Sequence, residues 1–220
     1  MIPASSVDTN SIEVEDKFGT VVGEYILNAY ETVTIDGAVL TTPLTVRSTG
    51  PLTVYDTANA TEGFVPQSHL GTEFVFPNIR VTIRYYIFSP DGDANVTIEK
   101  VGLSTDVITV PEGTTAFYLS GAWYTNATII TSDIPVGIVH TTAERYDTVN
   151  LYPATTEPIY GIFSRNYVVS ALKDNTTVTV TATNGASNTF VLNRGQKKHN
   201  PVGTLASEGA GDALRVVSDK

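Results

Sequence analysis

The chain has 220 residues, 13 basic and 23 acidic side chains, and no cysteine. Its net charge of −10 repels phosphate backbones and excludes nucleic acid as an expected partner, while the lack of cysteine excludes disulfides, thiolate metal sites and cysteine nucleophiles. The length suits one large or two ordinary domains, and the 41% hydrophobic content allows a sizeable core. Its 33 threonines, with plentiful Val, Ile and Tyr, fit a pleated, half-buried surface. A single Met and few Lys or Glu leave little material for amphipathic helices. The expected fold class is all-β.

From the N-terminus, Met1 to Asp8 has neither a basic nor an apolar leader region, so no signal peptide is expected. No window approaches the ~18–20 apolar residues of a membrane span, so no membrane insertion is expected. Asn10-Ser11-Ile12-Glu13-Val14 is the first alternating strand. Arg47-Ser48-Thr49-Gly50-Pro51-Leu52-Thr53-Val54 leads a turn into a proline-headed strand, where the missing N–H does least harm to a ladder. Gly63-Phe64-Val65-Pro66 and Glu73-Phe74-Val75-Phe76 follow. Val81 to Phe88 is more continuously apolar and aromatic, as expected of a strand covered on both faces.

After the turn Pro90-Asp91-Gly92-Asp93 the order begins again. Asn95-Val96-Thr97-Ile98-Glu99 echoes the first strand, and Thr131-Ser132-Asp133-Ile134-Pro135-Val136-Gly137-Ile138 echoes the proline-headed one. Asn150-Leu151-Tyr152-Pro153 and Ile159 to Phe163 echo the pair that followed. A third round opens with Asn175-Thr176-Thr177-Val178-Thr179-Val180 and reaches its second point only at Val217-Ser218-Asp219-Lys220. The spacing is roughly 85 residues, longer than the usual solenoid periods.

This predicts tandem β-sandwich-like units in about two and a half copies, with small open barrels fitting the same pattern. The expected units are a first with an N-terminal arm over 1–90, a second over 91–172, and a partial third over 173–220. The third is expected to pack on a neighbour or to continue beyond the chain end, because a half-unit exposes unpaired strand edges. Pro111-Glu112-Gly113, Asn184 to Asn188 and Asn193-Arg194-Gly195 read as turns, since Gly and Asn tolerate positive φ and Pro presets a negative one. Val178, Val180 and Ala182 against Thr177, Thr179 and Thr181 is period-two alternation, with one face buried and the other wet.

Two stretches carry a family resemblance. Val54-Tyr55 through Gly63-Phe64-Val65-Pro66 to Leu70-Gly71-Thr72-Glu73-Phe74 resembles the N-terminal domain family of IgGFc-binding proteins. In that family a strand ending in Val-Tyr precedes a Gly-Phe-x-x-Pro turn and a Leu-Gly-Thr-Glu-aromatic strand. Val169 to Val180, Asn193-Arg194-Gly195-Gln196 and Val217-Ser218-Asp219 are similar to its later segment, so the resemblance runs from Arg47 onward. It implies an extracellular, adhesive or surface β domain that is not an enzyme and needs no cofactor. Joined to the leaderless start, it leads to the expectation of a bacteriophage virion structural protein: a tail, neck, fibre or decoration component. Its expected partners are other copies of itself, other virion proteins, and a host surface protein or glycan. The alternative is a cell-surface or extracellular adhesive module that binds a host protein or glycan.

The chemistry-bearing residues are few. His69, His140 and His199 have neither metal-site spacing nor a neighbouring nucleophile signature, and acid–base work needs an oriented partner. Asp91 and Asp93, with Asn95, are the best metal candidates, because hard cations take clustered oxygens from turns. An Asx turn between two strands explains the same residues. Trp123 and Tyr124, with Tyr85-Tyr86 and Tyr118, are the candidates for an aromatic binding platform, against core or cross-strand pairing. Asn59, Asn95, Asn126 and Asn175 form N-x-Thr triplets and read as turns. Lys197-Lys198-His199 reads as a solvated loop.

Overall fold

The computed structural model describes every residue except 1, 6, 17, 36–43, 56–64, 78–82, 121–125, 143–147, 164–166 and 203–211. Among the described residues there are eighteen strands, one 3-10 turn at Gln67–His69 and no α-helix. The fold is all-β, and its sheets are antiparallel and sandwich-like.

A hairpin with a third strand occurs three times. β2 (Asn10–Asp16) pairs with β3 (Val21–Leu27) and β4 (Leu44–Ser48). β8 (Ala94–Lys100) pairs with β9 (Ser104–Val110) and the first half of β11 (Thr128–Thr142). β15 (Thr176–Ala182) pairs with β16 (Ser187–Leu192) and β18 (Asp212–Ser218). The registers agree: Ile12 lies opposite Ser48, Val96 opposite Ser132 and Val178 opposite Ser218. These apolar residues, with Val14, Ile98 and Val180 two positions on, are at most 2% exposed. The intervening residues face outward, as a pleat requires. In this register Asn10 matches Ala94 and Thr176, one residue away from the Asn95 and Asn175 that the sequence places beside it.

The turn that leads out of each hairpin uses the same local chemistry. After the buried Leu27, Val110 and Leu192 comes a residue with positive φ: Tyr30 at 66°, Gly113 at 63° and Gly195 at 74°. The N–H of the next residue closes the turn onto the carbonyl of Asn28, Pro111 or Asn193. An aspartate just before the first strand accepts a backbone N–H from the same turn. The pairs are Asp8 with Ala29, Asp93 with Glu112 and Asp174 with Arg194, each at 2.9 Å.

In the middle unit, which takes in β6 (Gly71–Phe76) and β7 (Ile83–Ser89) from before residue 91, β11 passes through both layers. Its first half lies between β8 and β6. Its second half lies between β7 and β12 (Thr148–Leu151), with β10 (Thr114–Ser120) beyond β7. The ladder shifts register between Thr131 and Val136, around Pro135, whose missing N–H suits an interruption. A strand that bends into the facing sheet makes the corner of a sandwich.

In the first unit the corner is Thr49-Gly50-Pro51. There β4 gives way to β5 (Leu52–Tyr55), which pairs with β1 (Ile2–Ser5) as the second half of β11 pairs with β7. Pro51 and Pro135 each stand three residues beyond the serine opposite Ile12 or Val96. In all three units the residue after the matching serine accepts a backbone N–H. Ser11 donates to Thr49 Oγ1 at 3.0 Å, Asn95 to Asp133 Oδ1 at 2.8 Å, and Thr177 to Asp219 Oδ1 at 2.8 Å.

The third unit repeats much of this plan. β18 lies between β15 and β13 (Ile159–Phe163), as the first half of β11 lies between β8 and β6. The segment Asp212–Ser218 is therefore paired along both sides by strands of the same chain. β14 (Val168–Ser170) pairs with β17 (Lys197–His199) as β7 pairs with β10.

Each unit holds its own core. Ile12, Val14, Leu27 and Ile35 pack in the first; Phe74, Tyr85, Ile87, Ile98 and Ile138 are among those in the middle; Tyr167, Val178, Val180 and Leu214 are among those in the third. Full burial of each such side chain is worth about 1.5–3 kcal/mol. The middle unit is closed where its chain enters and leaves. Pro153 packs so near Gly71 that a Cβ there would meet its ring at 2.5 Å, and the Ala154 N–H donates to the Glu73 carbonyl at 2.8 Å.

Candidate functional site

Asp93, one of the two metal candidates, serves the turn: its Oδ1 takes the Glu112 N–H, as Asp8 and Asp174 do in their hairpins. Asp91 is exposed in the separate turn between β7 and β8, which the Ser89 hydroxyl closes by donating to the Gly92 carbonyl at 2.5 Å. Among the described residues no three His, Asp or Glu side chains converge as a metal cluster would. Trp123 and Tyr124 lie outside the described residues.

The three histidines are dispersed. His69 meets Tyr152 edge-on at 4.3 Å. His199 is exposed on β17, opposite Val168. His140 sits on the second half of β11, opposite Tyr85, with its ring 4.6 Å from that of Phe76. Burial lowers its pKa from 6.5 to about 4, because an apolar site disfavours the imidazolium.

Three of the four N-x-Thr asparagines are used locally. Asn95 donates to Asp133 Oδ2 and accepts from Thr109; Asn126 donates to the Val101 carbonyl; Asn175 takes a φ of 53° before β15. Asn59 lies outside the described residues. The basic cluster divides. Lys198 Nζ stands 4.3 Å from the Phe190 ring centre, while Lys197 Nζ is 3.5 Å from the Pro77 carbonyl and its pKa is lowered by burial.

Two polar arrangements emerge that the sequence reading does not identify. At the open side of the middle sandwich, the Tyr118 hydroxyl donates to Asp106, and Lys100 Nζ lies 3.3 Å from the same carboxylate. The hydrogen bond from Tyr118, then that from Lys100, lowers the Asp106 pKa; burial and then the Asp106 contact raise that of Tyr118. The group ties β9 in one layer to β10 in the other.

The second arrangement joins the middle and third units. Arg194 makes two bonds to Glu99, at 2.7 and 2.6 Å, a bidentate geometry that a guanidinium fork matches. That bond lowers the Glu99 pKa and raises the Arg194 pKa. Beside it the Ala127 N–H donates to the Gly195 carbonyl at 2.8 Å. Val101 fills the space where a Cβ on Gly195 would lie, 2.6–2.8 Å away. In the first unit Glu15 takes the place of Glu99 and pairs with its own Arg47 at 3.0 Å. The repeated Ser-Asp doublets at 132–133 and 218–219 signal the corner carboxylates, whereas no local pattern marks a contact between Glu99 and Arg194.

The outer face of β7 and β10 carries an apolar strip. Tyr86 and Phe117 are cross-strand partners with ring centres 5.5 Å apart, and Leu119 lies two residues from Phe117. Phe117 and Leu119 are about half exposed, at 54% and 50%. This is a shallow sheet surface whose aromatic faces can stack on a ligand or partner. Compared with family models, curated proteins and solved structures, the chain matches none.

Proposed function

We propose that the chain is a non-enzymatic virion structural protein, a tail, neck, fibre or decoration component that assembles with other particle proteins and with copies of itself. The observation that carries this reading is the joint between the middle and third units, where Glu99, Arg194, Gly195 and Val101 lock two sandwiches together. Among the described residues the shortest ion pair lies between two units, where it serves fixed spacing, which suits a part of a particle. The aspartates near the strand starts and corners likewise hold backbone N–H groups. The test is to purify particles by density gradient and identify their proteins by mass spectrometry. The chain is expected to sediment with capsid or tail proteins at fixed stoichiometry. Its recovery only in soluble or cell-envelope fractions would reject the reading.

A second reading, an adhesive module for a host protein or glycan, is favoured by the Tyr86–Phe117 strip. On that reading Phe117→Ala lowers binding to host cells at least several-fold without changing the melting temperature, since truncated aromatic anchors at binding surfaces cost about 2 kcal/mol or more.

A further inference from the structure

The joint between the middle and third units is a turn seated on a face, and both parts recur elsewhere in the chain. The turn is Asn193 to Gln196, and it rests where Val101 and Ala127 meet, beside Glu99. The third unit repeats that face. The Thr183 N–H donates to the Ala213 carbonyl at 3.0 Å, as the Val101 N–H does to the Ala127 carbonyl at 3.3 Å. The ladder registers match Thr181 with Glu99, Arg215 with Ile129 and Tyr160 with Val75. In the middle unit the face is covered, and Ala127 and Ile129 are at most 1% exposed. In the third unit it is open. Thr183 and Arg215 are exposed there, and with Tyr160, Thr181 and Ala213 they line a shallow, mostly apolar groove.

The first unit repeats the turn, as Asn28 to Glu31. The Glu31 N–H donates to the Asn28 carbonyl and Glu31 Oε2 accepts the Asn28 N–H at 2.8 Å. In the seated turn the Gln196 N–H donates to the Asn193 carbonyl and Gln196 Oε1 accepts the Asn193 N–H at 2.9 Å. Exposure separates the three matching turns at their positive-φ residue. Gly113 and Gly195 are buried, whereas Tyr30 is 90% exposed. One chain thus presents an uncovered face on its third unit and an unseated turn on its first.

We propose that copies of this chain join head to tail, the Tyr30 turn of one seated in the Tyr160–Arg215 groove of the next. The two parts are complementary: an exposed aromatic ring meets a mostly apolar groove, and Glu31 meets Arg215. Arginine stacks on aromatic faces, and Tyr and Arg are the side chains most enriched where binding energy concentrates. A ring cannot approach as closely as Gly195 does to Val101. The turn therefore stands further from Thr183 than its counterpart does from Val101, and the ring fills the groove between. The joint is heterologous, so repeating it gives a ring if the rotation closes and a filament if it does not. The proposal rests on the assembly reading and names its partner, a second copy.

The test uses the full chain with two substitutions at exposed sites, neither of which is expected to lower the melting temperature. Tyr30→Gly removes the ring and keeps the φ of 66°, which glycine adopts readily. Arg215→Glu sets an acid against Glu31. In sedimentation velocity the unmodified chain should associate increasingly as its concentration rises. Each variant alone should need at least several-fold more protein for the same shift, because one half of every joint is lost. Mixed in equal amounts, the variants should form a mixed dimer and nothing longer. The intact turn of the Arg215→Glu copy then meets the intact groove of the Tyr30→Gly copy, leaving only disabled parts outside. An unmodified chain that stays monomeric at every concentration, variants that associate as it does, or a mixture that behaves as its separate parts overturns the proposal. Each of these leaves the particle reading standing, because that reading depends on the gradient experiment alone.

Discussion

His140 offers the sharpest quantitative test of the middle core. Unfolded, its imidazole takes a proton near pH 6.5; folded against Phe76 and Tyr85 it resists protonation until about pH 4. Between these values the unfolded chain binds more protons. The contribution of the neutral ring to stability is therefore complete above pH 6.5 and is lost as pH falls through 4. At about 1.36 kcal/mol per pKa unit, the loss approaches roughly 3 kcal/mol, an upper bound for a ring that keeps some solvent contact. That is a sizeable fraction of a domain's usual 5–15 kcal/mol.

Urea denaturation at half-unit pH steps from 7 down to about 2 measures it. The single Trp123 lies between β10 and β11 in sequence and serves as the fluorescent probe of the middle unit. His140→Phe should flatten most of the decline between pH 6.5 and 4. The decline below that window should survive, because Glu99, Asp106, Asp133 and Asp219 have lowered pKa values in the folded chain, and their stabilisation is lost only as pH falls through the carboxylate range. Parallel curves for the two proteins above pH 4 would refute the buried neutral histidine.

Gly195→Ala should cost roughly 2–4 kcal/mol in thermal or urea unfolding, combining a side chain at φ +74° with a clash against Val101. It should also admit protease between the middle and third units. A double-mutant cycle on Glu99→Gln and Arg194→Gln should return a coupling near or below about 1 kcal/mol that shrinks with salt, because both groups are part-exposed. Ile98→Ala, at a fully buried site, should cost about 2–5 kcal/mol, whereas Ile26→Ala, at a 72% exposed one, should change stability by less than about 0.5 kcal/mol. Asp93→Ala should lower the melting temperature by freeing the Glu112 N–H, while Asp91→Ala should leave it nearly unchanged.

The all-β class was legible because Thr, Val and Ile alternate over short runs, and Val178, Val180 and Ala182 do face inward while Thr177, Thr179 and Thr181 are only part-buried. Phase was harder to read. Asn10, Asn95 and Asn175 look alike, yet the strand register matches Asn10 with Ala94 and Thr176. In runs where β-branched residues occupy both faces, a one-residue slip leaves the pattern nearly intact while inverting every side chain. The serine and proline of the corner resist such slippage, because each sits at an interruption of a ladder and not within one. Val81 to Phe88 reads as covered on both faces, but Tyr86 is exposed at the surface, since continuous hydrophobicity does not distinguish a core from an apolar outer strip. The Glu99–Arg194 joint spans 95 residues, and separation on that scale leaves no periodic trace. Asp91 and Asp93 look like ligands only until the matching roles of Asp8 and Asp174 are seen.

The contact between Gly71 and Pro153 brings the chain's entry to the middle sandwich and its exit from it into one narrow neck. A module attached in this way can be exchanged, permuted or deleted by editing two neighbouring points, because the flanking chain ends already meet. Tension applied along the polypeptide would also converge on that neck. It would peel β6 off β11 starting at Gly71 and β12 off β11 starting at Leu151, one hydrogen bond at a time, before the interior of the sandwich carried any force. A stretched chain should therefore release its middle unit by peeling from the neck inward, with the bend at Pro135, which lies beside both strand ends, the first part of β11 to be stripped.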